Sequence, residues 1–145
     1  MADQEDGGTP AAGGTKTPQQ QEREQAQQEA QEAFEELRDK LRLFAIENAD
    51  GTWTFPLQSP VPWGGTPIET LAVRRLNGKG LRILGSDPGP ADYLRAAPDF
   101  VRMDGPAGGK VNEKFIDELD GVDAQRVIAI LTYFFYVGQM VGVRV

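Results

Sequence analysis

The 145-residue chain carries 15 Lys and Arg against 22 Asp and Glu, a formal net charge of −7, and contains neither cysteine nor histidine. The negative balance leaves no basic field for phosphate backbones or anionic lipid, so neither nucleic acid nor membrane is an expected partner. Without cysteine and histidine there are no disulfides or thiolate nucleophiles, and the commonest general base and usual zinc ligand are missing. A non-enzymatic protein without cofactor or metal is expected.

The N-terminus opens with Asp3, Glu5 and Asp6 and has no apolar stretch of signal-peptide length. The longest apolar run, Val127 to Val137, is broken by Thr132, Tyr133 and Tyr136 and is too short for a bilayer core of ~30 Å. A cytoplasmic protein is the expectation. Residues 1–18 are mostly Gly, Thr, Pro, Ala and Asp, too poor in apolar surface to offset the entropy of ordering, and are expected to form a disordered tail.

From Gln19 the composition turns to Gln, Glu and Ala, and an apolar stripe runs through Ala30, Ala33, Phe34, Leu37, Leu41, Phe44 and Ala45. The pattern predicts one amphipathic helix over 19–48, docked on its own domain or in a groove of a partner. Leu43 and Ile46 fall outside the stripe, which favours contact on two sides. Asn48-Ala-Asp-Gly51 then ends the helix and starts a turn.

Trp53, Phe55 and Leu57 alternate with polar neighbours as in a strand with one buried face, and Pro56 argues for a sheet edge. The Pro- and Gly-rich stretch 59–67 predicts a reversal, after which Leu71 and Val73 resume the alternation, giving a hairpin over 52–76. Asn77 is placed to cap a short helix carrying Leu81 and Leu84, which Gly85 would end. Residues 86–111, with repeated Pro and Gly, read as a long loop with at most a turn or two of helix. Asn112 is placed to cap a helix over about 112–120. Asp123 is expected to cap the last helix, about 123–137, where Val127, Ile130, Leu131 and Phe134 form the main stripe. Met140 to Val145 is either a terminal strand or a loose tail. The fold class is α+β: a small N-terminal hairpin followed by a helical subdomain, preceded by an amphipathic helix and the acidic tail.

The charged clusters have plain explanations. Glu113, Asp117, Glu118, Asp120 and Asp123 read as a solvated helix face and two caps, since no calcium-loop pattern accompanies them. Asn77-Gly-Lys-Gly80 lacks the spacer and Lys-Ser/Thr ending of a phosphate loop. Arg74 and Arg75, beside Lys79 and Arg82, form the basic patch, either solvated or an anchor for an acidic segment. Tyr133 and Tyr136 lie away from the last helix's main stripe, to be covered by the long loop or by a partner, and Trp63 in the reversal is equally open.

Phe55-Pro-Leu-Gln-Ser-Pro-Val, the following Gly-Gly and Ile68-Glu-Thr-Leu-Ala-Val-Arg-Arg-Leu-Asn-Gly-Lys-Gly-Leu-Arg82 resemble the tail assembly chaperone family of contractile- and long-tailed phages, Mu-like phages among them. The stretch from Phe115 to Ile128 is similar to that family's Leu-x-x-x-Asp helix pair, with Leu119 and Asp123 at the matching positions. Gly80 stands where the family often has Asp, and Leu76 where Pro is usual. The resemblance implies a protein, of phage or prophage origin, that binds the tape measure protein in the host cytoplasm, keeps it soluble, and leaves as tail tube protein polymerises. It further implies that a frameshifted longer form of the same chain can exist. A homo-oligomer is compatible with this reading. The partner-binding residues expected from amphipathicity are Phe34, Leu37, Leu41, Phe44, Trp63, Arg74, Arg75, Tyr133 and Tyr136. The alternative is a small structural tail or baseplate component that stays in the virion.

Overall fold

The computed structural model describes residues 16–105 and 109–144 and, within the last helix, the side chains as far as Gly138. The tail expected over residues 1–18 therefore falls almost wholly outside the described residues. The chain forms two units that meet in sequence at Glu35 and Glu36.

The first described element, α1 (Pro18–Leu41), crosses that boundary. Its start is well made: Thr17 Oγ1 accepts from the Gln20 amide at 3.1 Å while the Thr17 amide donates to Gln20 Oε1 at 2.9 Å, a reciprocal capping box with Pro18 in the first turn. Residues 16–33 are exposed, and Phe34 is half-buried.

In the second unit a four-stranded antiparallel sheet has the order β1 (Ile46–Glu47), β2 (Trp53–Trp63), β3 (Thr66–Val73), β4 (Val101–Met103). α1 stops at Leu41, not near Asn48. Shorter turn bonds from Leu43 to Lys40 and from Phe44 to Leu41 break the helical ladder, and Asn48 N then donates to Thr52 O at 2.8 Å, drawing 46–47 into the sheet. Gly51, at φ 90°, and Asp50, whose carboxylate accepts from Thr52 N at 3.0 Å, close the β1–β2 turn.

The hairpin is present, but its reversal is tighter than the prolines suggest. Only Gly64 and Gly65, at φ 61° and 82°, stand between the paired residues Trp63 and Thr66, the backbone a two-residue hairpin turn requires. Pro60 and Pro62 belong to β2. Pro56 lies on an inner strand, yet β1 pairs only with Trp53 and Thr54, so no ladder bond toward β1 is asked of it.

The hairpin and the helices are not successive subdomains. The stretch read as a long loop holds α3 (Pro90–Ala96), a 3-10 turn over Ala97–Asp99, and β4, the fourth strand of the sheet. Before them α2 (Gly78–Leu84) begins as expected, with Asn77 Oδ1 accepting from Gly80 N at 3.1 Å, and ends at Gly85, φ 75°. After them α4 (Glu113–Asp117) is shorter than expected, and α5 (Gly121–Arg144) is longer, extending into the stretch read as a terminal strand or a loose tail. α5 lies against β2, β3 and α3. Trp53, Phe55, Leu57, Leu71, Val73, Val101 and Met103 from the sheet and Val127, Ile130, Leu131 and Phe134 from α5 are buried in the core.

The β2–β3 register breaks between Pro56, opposite Thr70, and Val61, opposite Ile68, so residues 57–60 bulge against Glu69 alone. The freed amides of Gln58 and Ser59 donate to Asp123 Oδ1 at 2.8 Å and Oδ2 at 3.1 Å. Asp123, 0% exposed, is therefore not the cap of α5. That role falls to Asp120, whose Oδ2 accepts from Val122 N at 3.0 Å. Replacing Asp123 with alanine leaves two amides without acceptors and is expected to cost about 2–4 kcal/mol, with asparagine, which keeps one acceptor, costing less. Denaturant unfolding of D123A and D123N measures both.

Gly80 is a second tight point. A Cβ there would stand 2.6 Å from Phe100 Cζ and 2.9 Å from Leu76 Cδ2, while one on Gly78 would meet nothing within 4 Å. Gly80→Ala is expected to destabilise by about 1–3 kcal/mol through overpacking, and Gly78→Ala to be neutral or stabilising by up to about 1 kcal/mol. Thermal melts of the two variants should shift in opposite directions or, at the least, only the first should fall.

Candidate partner-binding surface

The residues expected to contact a partner divide between core and surface. Leu41, at 1% exposure, and Tyr133, at 5%, lie in the core, with the Tyr133 ring edge-on to Trp53 at 5.7 Å between centroids. The Trp53 indole N–H has no acceptor among the described residues. Phe44 is half-buried between the Phe55 ring, at 6.0 Å, and the Arg126 guanidinium, 5.2 Å above it. Leu37 is also half-buried, and Phe34, in the N-terminal unit, has the same partial exposure.

Trp63 packs edge-on against Phe115 of α4, 5.3 Å away, with part of its surface open. Arg74 lies over the Phe100 ring at 5.2 Å and donates to the Asp99 carbonyl at 2.9 and 3.2 Å. Lys79 approaches the Asp99 carboxylate at 3.4 Å. Two members of the basic patch are thus occupied within the fold, and Arg75 stays exposed beside Gly51.

The cover expected over Tyr133 and Tyr136 from the long loop or a partner is found differently: Tyr133 lies against Trp53 of the sheet, and Tyr136 stays half exposed. Phe135 meets Tyr93 of α3, with ring centroids 6.3 Å apart, so the stretch read as a loop supplies a second cover. A narrow outward row remains: Val122, Gln125, Ala129 and Tyr136, of which Val122 is 42% and Tyr136 50% exposed. Between Arg126 and Arg144 this helix carries no charged residue.

Among the described residues Leu43 and Ile46 are the other exposed large apolar residues, 85% and 68% accessible, in the turn after α1 and on β1. Their displacement from the α1 stripe favoured contact on two sides, but within the fold both are exposed. Val122 gave no sequence signal, because its exposure follows from where α5 starts.

Arg38 and Arg42 converge on Glu47 Oε1, at 2.6 and 3.1 Å. Burial pushes the Glu47 pKa up, but the hydrogen bonds from Arg38 and Arg42 outweigh it and the net shift is downward. The Glu47 hydrogen bond raises the Arg38 pKa in turn. Burial raises the Tyr133 hydroxyl above its ordinary value. Among the described residues no group of three or more acidic side chains is placed to hold a metal ion, and no helix is long and apolar enough to cross a membrane.

Comparison with family models, curated proteins and solved structures returns no match to this chain.

A depressed folded-state pKa means that Glu47 stabilises the fold above its unfolded pKa and that this contribution is lost as pH falls through the folded value. Glu47→Gln is expected to cost up to about 1 kcal/mol at neutral pH, with the difference from wild type vanishing below the ordinary carboxylate range. Urea titrations of both proteins across that pH range check the sign.

Proposed function

We propose that this chain is a phage tail assembly chaperone that binds the tape measure protein and keeps it soluble in the host cytoplasm until the tail tube polymerises. The observation that carries the reading is the uncharged outer surface of α5, open along Val122, Gln125, Ala129 and Tyr136 in a chain otherwise rich in charge. A helical, aggregation-prone client needs its apolar stripes covered reversibly, and a rigid helix face with one exposed aromatic suits that contact. Leu43 and Ile46 offer a further apolar foothold. Many copies along one client need only modest affinity each, because neighbouring sites raise the effective concentration.

The resemblance of the 55–82 and 115–128 stretches supports the same reading. The departure at Gly80 has a local physical reason, since any side chain there collides with Phe100. Asp123, one of the matching positions, holds the β2 bulge through both carboxylate oxygens, a role that glutamate or asparagine could not fill in the same geometry.

The test is co-expression with the tape measure protein encoded nearby, followed by solubility and pull-down assays. The wild-type chain is expected to keep the client soluble and to co-purify with it. The V122K/Y136K double variant should recover at least about tenfold less complex, as loss of an aromatic anchor does, with its circular dichroism unchanged. Failure to form any complex, together with the protein's presence in purified particles, would replace this function with that of a structural tail or baseplate component.

A further inference from the structure

The sheet has a second face, opposite the one against which α5 packs. Across it the register sets Ile46 opposite Thr54, Thr54 opposite Ala72, Ala72 opposite Arg102 and Arg102 opposite Lys110. The adjoining row pairs Pro56 with Thr70. The middle strands thus present a strip of small side chains, Thr54, Pro56, Thr70 and Ala72, all half-exposed or exposed. The β4 border carries the exposed cations Arg102 and Lys110, with the exposed Asp104 beside them. This border belongs to a protein with net charge −7.

The matching surface lies on the same chain. Residues 18–33 of α1 are exposed throughout, despite the carefully built cap at Thr17 and Gln20. Helical spacing puts Ala26, Ala30 and Ala33 in one seam and Glu22, Glu29 and Glu36 in a parallel row along one side of it, at seven-residue intervals of about 10.5 Å. Between Pro18 and Glu36 the carboxylates Glu22, Glu24, Glu29, Glu32, Glu35 and Glu36 face the lone cation Arg23. Helices in proteins draw most of their stability from packing of one face, which residues 18–33, exposed throughout, do not obtain within this chain, so a partner surface would stabilise the segment.

We propose that the chain self-associates by laying the acidic α1 segment of one copy across the open sheet face of another, the alanine seam on the Thr/Ala/Pro strip and the Glu22–Glu29–Glu36 row toward Arg102 and Lys110. Small residues on both sides allow close approach of helix and sheet, and the two borders carry opposite charge. Charge complementarity of this kind sets register and makes the association sensitive to salt. The interface does not use the outer row of α5, so binding along that row is separable from self-association.

Sedimentation velocity of the full chain, at about 100 μM and at low and high salt, reads the association directly. The wild-type protein is expected to dimerise or form larger assemblies at low salt and to dissociate at high salt. R102E/K110E and, separately, E22K/E29K/E36K should each weaken self-association by about tenfold or more, and mixing the two should restore a complex through the reversed charges. Circular dichroism of each variant accounts for its fold, and the mixing experiment works only if both are folded. A chain that is monomeric at low salt overturns the proposal and leaves the sheet face to a foreign partner. Assemblies indifferent to both charge reversals, or variants that fail to complement each other, overturn it equally.

Discussion

The carboxylate of Asp123 ties together parts of the fold that lie far apart in sequence. β2 is long for a strand and changes register midway, which is possible only if the amides released by the bulge find acceptors. Asp123 supplies both from the first turn of α5, where a negative charge also complements the helix dipole. The two bonds therefore tie the first turn of α5 to β2. With α5 anchored there, Tyr133 reaches Trp53 and Phe135 reaches Tyr93. The bulge also carries the outer half of β2 onward to the Gly64–Gly65 turn, placing Trp63 over Phe115.

The same anchoring makes the two faces of the sheet unequal. One receives α5 and nearly all of the large apolar side chains, and the other keeps threonine, alanine, proline and a cationic border. An acidic chain that exposes a basic sheet border and an uncharged helix row has two surfaces of different chemistry, suited to different partners. The uncharged row fits an apolar client, for which desolvation dominates. The sheet face fits an acidic helix, for which charge sets orientation and small side chains set distance.

Local interactions were the most legible features in the chain. Asn77 and Asn112 are caps because a short polar side chain reaches amides three residues on, and Gly85 ends its helix because it can take positive φ. The Trp53-to-Leu57 alternation gave the buried face of β2 for the same reason. The candidate contact residues were less legible. Leu41 and Phe44 share the first helix's stripe and Tyr133 and Tyr136 a flank of α5, yet three of the four meet Phe55, Trp53 or the surrounding core, and Tyr136 is left half exposed.

By itself the sequence determined what depends on neighbours a few residues away: the Asn77 and Asn112 caps, the glycine turns and the apolar stripe of α5. Tertiary structure decided whatever depends on distant partners. A three-residue strand such as β4 has too short a pattern to announce itself and exists because β3 offers it an edge. α1 ends at Leu41 because residues 46–47 gain more from pairing with β2 than from another helical turn. Asp123 reads as a cap in one dimension, and only the fold brings to it the two amides, more than sixty residues away, that its carboxylate holds.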